Sequence, residues 1–324
     1  MAFEDIGSGL VRTVGRRADR TIGSAARRVG VGALVALGCA VSACGGGDVE
    51  VSPAPPGGAT RGPAPAAGGT AQSDPLHDAS LPAARLTITV DDTGPQRFAY
   101  RAARSVRGGL VEIRLRNISD APRKAQLWRI SGDHTLAEAL KVRHPQPDWL
   151  RTAGGVSLTA PHSTSRTLQS LPPGRYYVAA TLEEPGSVAA FTVTGAAQAP
   201  QPPRAPARVE AIDFAFRASG LRAGRNSVDF DNTGTQPHHA FFVPMRSGAG
   251  LADVRAFFAG RASNGPPPID AEGTRETVVL EGGERQVTQL DLAAGRYALM
   301  CFVRNREGGK RHLDLGMINE VSVR

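Results

Sequence analysis

The chain has 324 residues and a formal net charge of +8, and aromatic residues make up 5% of it. This length is sufficient for two domains of ordinary size with additional tails. The 38 glycines and 24 prolines favour many short strands joined by tight turns over a helical fold. The positive charge is scattered, with no basic helix and no interleaved aromatic stripe, so we expect no nucleic-acid partner.

An apolar run from Val29 to Ala43 follows Arg27-Arg28. It is shorter than the about 20 apolar residues that span a bilayer, and its basic and small flanking residues are typical of a signal peptide. Val41-Ser42-Ala43-Cys44 resembles the lipobox of bacterial lipoproteins. The resemblance implies that 1–44 is a signal peptide and that an acylated Cys44 anchors the protein to the extracytoplasmic side of a membrane. A single N-terminal membrane anchor is the alternative.

Residues 45–80 contain almost no large apolar side chains, so the sequence predicts a disordered Gly/Pro-rich tether. The export signal also changes the cysteine count. Cleavage removes Cys39, which is itself a second candidate for acylation, and Cys44 is modified. Cys301 is then the one thiol left in an oxidising compartment, without a partner for a disulfide. We expect such a thiol to be buried or bound to a metal.

Two segments, 81–195 and 208–324, repeat one pattern. "FAYRAA" at Phe98 corresponds to "FAFRAS" at Phe214, and "LPPGRYYVAA" corresponds to "LAAGRYALMC". A long repeat that occurs twice indicates a duplicated domain rather than a solenoid. Residues 196–207 between the copies are rich in proline and are predicted to form a semi-rigid linker.

Each copy has the alternation of apolar and polar residues that is typical of strands. "LVEIRLRN" and "NSVDFDN" alternate in this way, and "RYALMCFV" would place Tyr297, Leu299 and Cys301 on one face of a strand. "ETVVLEGGERQVTQLDL" reads as two strands around a Gly-Gly turn. Helices are expected only at about 134–142 and 250–259. The pattern predicts an all-β fold with a sandwich in each copy.

The second copy contains the four residue types of a blue-copper site: two imidazoles, a thiolate and a thioether. Cys301, His312 and Met317 lie in one stretch near its end, and His238 or His239 lies about sixty residues earlier. Singly, each of these residues has an ordinary explanation, since a lone buried cysteine is usually a small hydrophobic residue. Their joint occurrence in an exported chain favours a metal site. Zinc also binds His and Cys, but a Met ligand favours copper.

The second copy resembles the cupredoxin family of plastocyanin-like blue-copper proteins. The resemblance rests on Asn232, Pro237-His238, Tyr297-x-x-x-Cys301 and His312-x-x-x-x-Met317. It implies two cupredoxin-like Greek-key β-sandwich domains, with one type 1 copper held by His238, Cys301, His312 and Met317 in the second. His239 would point to the opposite face of a regular strand, although a bulge could reverse that choice. The ten residues between Cys301 and His312 exceed the short loop of plastocyanin-like members.

The first copy differs at the same positions, with Ala180 in place of Cys301 and Arg123 in place of His238. The resemblance therefore implies a cupredoxin-like domain without metal. Its histidines, His134, His144 and His162, leave open a type 2 copper site shared between domains.

The chain lacks the His-x-His pairs that feed a trinuclear copper cluster, so we expect no enzymatic activity and no small-molecule substrate. The main hypothesis is a one-electron carrier with His312 as the electron exit near the surface. A basic rim would steer an acidic redox partner, unless it is only a solvated loop. The alternatives are copper capture or delivery, or a structural lipoprotein with a vestigial site. The rim comprises Arg304, Arg306, Lys310 and Arg311.

Overall fold

The computed structural model describes residues 74–78, 80–81, 83–94, 97–142, 146–180, 188–195, 200–261 and 265–324. These residues belong to one compact unit. The predicted signal peptide, Cys44, most of the tether and His144 lie outside the described residues. Across the described ranges, no helix has the length and apolar character needed to cross a membrane.

In its described residues the first copy has nine strands and one short helix, and the strands form two sheets. One sheet has the order β2–β1–β4–β7, with β1 parallel to β4, and the other has the order β3–β9–β8–β5–β6. The elements are β1 (Ala84–Gly94), β2 (Arg97–Ala102), β3 (Ser105–Arg107), β4 (Gly109–Asn117), β5 (Arg123–Ile130), α1 (Leu136–Ala139), β6 (Leu150–Thr159), β7 (Ser163–Leu171), β8 (Gly174–Ala179) and β9 (Ala189–Thr194).

The second copy repeats this strand order, except that β3 has no counterpart among its described residues. Its sheets are β11–β10–β12–β15, with β10 parallel to β12, and β14–β13–β16–β17. The predicted all-β fold is confirmed, and both predicted helices are present. The elements are β10 (Ala207–Ile212), β11 (Ala215–Ser219), β12 (Gly224–Asn232), β13 (Phe241–Pro244), α2 (Leu251–Phe258), β14 (Arg275–Glu276), β15 (Arg285–Leu292), β16 (Gly295–Met300), a 3₁₀-helix (His312–Leu315) and β17 (Ile318–Val323).

Strand β16 shows how the sequence alternation builds the interior of the second sandwich. Tyr297, Leu299 and Cys301 enter the core between the two sheets, as the sequence predicts. Met300 and Phe302 enter a second cluster on the other side of the strand. Successive side chains of a strand point to opposite faces, so a strand that is covered on both sides is apolar throughout. Cys301, which directly follows β16, therefore enters the core between the sheets because of its position in this alternation.

The two copies share one continuous sheet. Strands β7 and β15 pair antiparallel, with Val287 opposite Leu168, and this pairing joins two four-stranded sheets into one of eight strands. The pairing covers two edges that would otherwise expose unpaired backbone groups. Parts of the predicted disordered tether and of the predicted semi-rigid linker pack against this junction. Leu76 of the predicted tether and Ala205 of the predicted linker are buried with Val287 and Leu168.

The strand pair predicted around Gly282-Gly283 does not form a hairpin. Its second half is β15, but its first half belongs elsewhere: Arg275–Glu276 pairs with β13 as β14, and Leu280 forms an isolated bridge with His238. The turn at Gly283, with φ of 78°, therefore connects the two sheets of the sandwich instead of two neighbours in one sheet. Residues 278–281 below are called the bridging segment.

Glu284 follows that turn, and burial together with the nearby Glu281 carboxylate raises the pKa of Glu284 to about 7. The folded pKa lies above the unfolded value, so the folded state is destabilised as the pH rises between about 4.5 and 7. We expect Glu284→Gln to raise the free energy of unfolding by on the order of 2–3 kcal/mol at about pH 8, and to change it little at about pH 5. Urea unfolding at both pH values measures this, with exposed Glu272→Gln as the control. Equal effects at the two pH values would contradict the prediction.

Candidate metal centre

The four predicted ligands lie at one end of the second sandwich. Cys301 follows β16 directly, His312 begins the 3₁₀-helix, Met317 precedes β17, and His238 lies between β12 and β13. Gly316 ends the 3₁₀-helix with a φ of 105°, a left-handed conformation that favours glycine. This turn lets the Met317 N–H donate to the His312 carbonyl at 2.9 Å and brings the chain back into the core.

The long segment between Cys301 and His312 is accommodated as a small hairpin. Arg304 and Arg311 form an isolated bridge at its base, and Asn305 N–H donates to the Lys310 carbonyl at 2.8 Å. Below this base, His312 N–H donates to the Val303 carbonyl at 2.8 Å. The extra residues therefore project away from the centre and leave Cys301 and His312 adjacent. Residues 304–311 below are called the ligand hairpin.

Three donor atoms converge among His238, Cys301 and His312. Cys301 Sγ lies 3.7 Å from His238 Nδ1 and 3.5 Å from His312 Nδ1. The two Nδ1 atoms are 3.0 Å apart. Metal bonds of roughly 2.0–2.3 Å in a trigonal plane require donor separations of about this size. Within the described part of the chain, these side chains are the one such group of three close potential ligands. Met317 is fully buried and packs in the same core cluster as Cys301.

The three donors are shielded from solvent, and His238, Cys301 and His312 are each 0% exposed. Burial raises the pKa of the Cys301 thiol to about 12 and lowers the pKa of His312 to about 3. Burial also lowers the pKa of His238, although its contact with Asp213 opposes the shift. The imidazoles are therefore neutral and ready to act as ligands. Backbone groups of His239 and Val303 hydrogen-bond to the cysteine and offset part of its shift. A bound cation would supply the charge that keeps the thiolate ionised.

Asp213, which the sequence reasoning missed, sets the protonation of His238. Its Oδ1 lies 3.0 Å from His238 Nε2. Burial alone would raise the pKa of Asp213, but hydrogen bonds from Thr235, Gln236 and His238 outweigh it and hold the pKa below its ordinary value. A carboxylate only accepts, so Nε2 carries the proton and Nδ1 presents its lone pair to the centre. A comparison of the two copies could have pointed to Asp213, because Arg97 stands at the corresponding position of the first copy.

His239 has a different role from its neighbour. Its Nε2 accepts a hydrogen bond from the Phe302 N–H at 3.0 Å, and its ring lies 5.6 Å from that of Phe241, centroid to centroid. Burial lowers the pKa of His239 well below its ordinary value. The ring nitrogen that could bind a metal is thus occupied by the backbone. Of the two histidines that the sequence left open, the structure brings His238 to the centre.

His312, the ligand that the sequence suggested as an electron exit near the surface, is itself 0% exposed. Its Nε2 is buried and has no hydrogen-bond partner. The edge of the Phe214 ring lies against it, with ring centroids 5.2 Å apart and an interplanar angle of 72°. Phe214 has a φ of 66°, which is uncommon for a bulky residue. The turn between β10 and β11 therefore covers His312, and its partly exposed Phe214 ring separates the imidazole from solvent.

The predicted basic rim is largely engaged within the chain. Arg311 pairs with Asp314 at 2.7 Å, and Arg306 pairs with Glu281 and Asp148. These ion pairs neutralise the positive charges of Arg306 and Arg311, which the sequence suggested would attract an acidic partner. Lys310 of the rim is exposed.

In the first copy, Arg123 stands at the sequence position of His238 and makes contacts of another kind. The Arg123 guanidinium carbon lies 3.9 Å above the centre of the Phe98 ring, and its Nη2 lies 3.0 Å from Asp92 Oδ1. Phe98 and Phe214 occupy equivalent positions of the repeat. His134 stacks on Trp149, and His162 bonds to Asp120, so neither joins a cluster of three ligands among the described residues.

No protein-family model matches the chain, and no curated protein matches it. Among solved structures, dithionite-reduced auracyanin from Roseiflexus castenholzii is 21% identical, with a TM-score of 0.23, over 36% of this chain and 94% of that chain. Auracyanin A, a blue copper protein from Chloroflexus aurantiacus, is 17% identical, with a TM-score of 0.22, over 36% of this chain and 96% of that chain. Copper nitrite reductase from Nitrosomonas europaea is 12% identical, with a TM-score of 0.20, over 74% of this chain and 93% of that chain.

Proposed function

We propose that the chain is a cupredoxin-like protein that binds one type 1 copper ion and transfers single electrons. The observation that carries this proposal is the convergence of His238 Nδ1, His312 Nδ1 and Cys301 Sγ at 3.0–3.7 Å in a buried pocket, with Met317 in the same cluster. Two imidazoles and a thiolate with a weak thioether are the ligand set of blue-copper electron-transfer sites. Bound copper would supply a one-electron couple there.

The burial of the donors favours electron transfer over copper capture. Copper handling requires ligands that an incoming partner can reach, whereas His238, Cys301 and His312 are 0% exposed. Asp213 fixes the His238 ring, and backbone hydrogen bonds hold both ends of the ligand hairpin. A ligand set that is held in place changes little between two oxidation states, which suits fast electron transfer and not ligand exchange.

We further propose that the protein works outside the cytoplasm and is attached to a membrane through acylated Cys44. This rests on the lipobox-like sequence and on the single remaining thiol, Cys301. Its partner would be a redox protein that docks near the turn carrying Phe214, which covers His312. Electron transfer without turnover of a substrate is the proposed activity.

Copper reconstitution of the purified chain tests the function. We expect one copper per chain, an intense visible absorption from the Cu(II)–thiolate bond, and reversible loss and return of that band on reduction and oxidation. Tight Cu(I) binding without the band would favour copper capture instead. Absence of copper binding would overturn the proposal.

Substitution of the two adjacent histidines should have unequal effects. We expect His238→Ala to abolish the visible band because a donor of the trigonal plane is lost. His239→Ala should keep the band and lower the free energy of unfolding by about 1–3 kcal/mol, since the Phe302 N–H loses its buried acceptor. Absorption spectra and urea unfolding of both variants measure this. Loss of the band in His239→Ala alone would reverse the assignment.

A further inference from the structure

We propose that the first copy, which has Ala180 and Arg123 at the positions of Cys301 and His238, is a positioning scaffold for the metal centre of the second copy. It would act through the bridging segment, 278–281, which lies between His238 and the first copy. This role is separate from copper binding, because the first copy has no candidate copper ligand at the positions equivalent to Cys301 and His238.

One side of the bridging segment holds the backbone of His238. His238 N–H donates to the Leu280 carbonyl at 2.9 Å, and Leu280 N–H donates back to the His238 carbonyl at 2.9 Å. Backbone groups of neighbouring residues in an extended segment point in opposite directions. The hydrogen bonds of Val279 therefore face away from His238 and toward the first copy.

Gln126 of the first copy provides the partner for Val279. Its Oε1 accepts from Val279 N–H at 2.7 Å, and its Nε2 donates to the Val279 carbonyl at 3.0 Å. This side-chain amide thus imitates the pairing of a neighbouring strand. Gly154 N–H adds a further hydrogen bond to the same carbonyl at 3.2 Å. Strand pairing between β5 and β6 is irregular here, between Gln126 and Trp128, where the Gln126 side chain reaches across to Val279.

Glu281 makes a second connection, from the first copy to the ligand hairpin. Its Oε1 accepts from the backbone N–H and from the hydroxyl of Thr152, both at 3.0 Å. The other oxygen of the carboxylate pairs with Arg306 of the ligand hairpin, which also reaches Asp148 of the first copy. The backbone N–H of Arg306 donates to Gln236 Oε1 at 3.0 Å, and Gln236 lies two residues before His238.

Both connections lead from the first copy to a ligand. Gln126 fixes Val279 and, through the adjacent Leu280, the backbone of His238. Thr152 fixes Glu281 and, through Arg306, the hairpin that ends at His312. Groups that orient metal ligands typically change metal affinity by about 10–100-fold when they are removed. In this protein the first copy supplies two such groups, Gln126 and Thr152, in addition to Asp213 of the second copy.

The test compares two substitutions at the junction of the copies in the full chain. Gln126→Met keeps the side-chain volume but leaves the Val279 N–H without its acceptor and the Val279 carbonyl with only the Gly154 N–H. Ser157→Ala is the matched control, because the Ser157 hydroxyl also contacts the second copy, through Thr288 Oγ1 at 3.0 Å, without touching the bridging segment. Hydrogen exchange of the His238 amide in metal-free protein is the first readout. We expect at least about 10-fold faster exchange in Gln126→Met and no such change in Ser157→Ala.

The second readout is copper itself, and it rests on the proposed function. In Gln126→Met we expect copper loss to a chelator to accelerate by about 10-fold and the visible band to shift. If Gln126→Met does not fold, Thr152→Val is used, with exchange of the His312 amide as its readout and Thr152→Ser expected to restore the wild-type values. Unchanged His238 exchange, or equal changes in the control, would overturn the scaffold role. Faster exchange without any copper binding by wild-type protein would refute the proposed function alone.

Discussion

Cys301→Ala is expected to abolish copper binding and the visible band while leaving the metal-free fold nearly intact. The thiolate provides the strongest bond of the donor set, so its loss should lower copper affinity by more than the about 10–100-fold typical of groups outside the ligand sphere. The first copy has Ala180 at the equivalent position and forms the same sandwich. The substitution therefore leaves a residue that this fold accepts.

The measurements for Cys301→Ala are copper content after dialysis, the absorption spectrum, and the thermal midpoint with and without copper. A ligand that binds only the folded state raises stability with its concentration, so added copper should raise the midpoint of the wild type. The midpoint of the variant should not respond. Phe302→Leu, which changes the other face of the strand, is a control that should retain copper. Copper retention by Cys301→Ala would refute the centre.

Asp213→Asn is expected to raise the reduction potential of the copper-loaded protein. The Asp213 carboxylate lies 3.0 Å from His238 Nε2 and its negative charge favours the more positive oxidation state of the metal. Asparagine keeps an acceptor oxygen for His238 but removes the charge. A charge at this range in a partly solvated site contributes on the order of 1–2 kcal/mol, so we expect a rise on the order of 50–100 mV.

Voltammetry of the wild type and the variant measures this shift. Glu210→Gln is the matched control, because it removes one carboxylate from β10 close to Asp213 without contacting His238. The Asp213→Asn variant should also lose stability, since its new amide group faces the Thr235 N–H, which donates to both oxygens of the Asp213 carboxylate. A potential unchanged from wild type, or one equally raised in Glu210→Gln, would show that Asp213 does not tune the centre.

Local patterns of the sequence were sufficient for the strands and for most of the ligand set. The alternation in "RYALMCFV" placed Cys301 in the core because side-chain direction in a strand depends only on position parity. The spacing of His312 and Met317 after Cys301 was informative since the whole stretch is local in the chain. Local sequence could not decide between His238 and His239. That choice depends on which of the two histidines accepts a hydrogen bond from the Phe302 N–H, a contact across 63 residues.

The predicted hairpin around Gly282-Gly283 failed for a related reason. Both halves have the alternation of strands, but periodicity does not specify which neighbour a strand pairs with. The burial of His312 was also inaccessible to sequence reasoning, because it depends on Phe214 of a distant turn.

The sequence by itself determined the two similar copies, their all-β character, and the set of residues that could hold a metal. These properties follow from periodicity and from residue chemistry, which are carried by short stretches. Only the tertiary structure decided that the copies share one sheet, that Asp213 orients His238, and that Gln126 supports the bridging segment. Such contacts join residues far apart in the chain, and the polar side chains that make them have no periodic pattern that would reveal their partners.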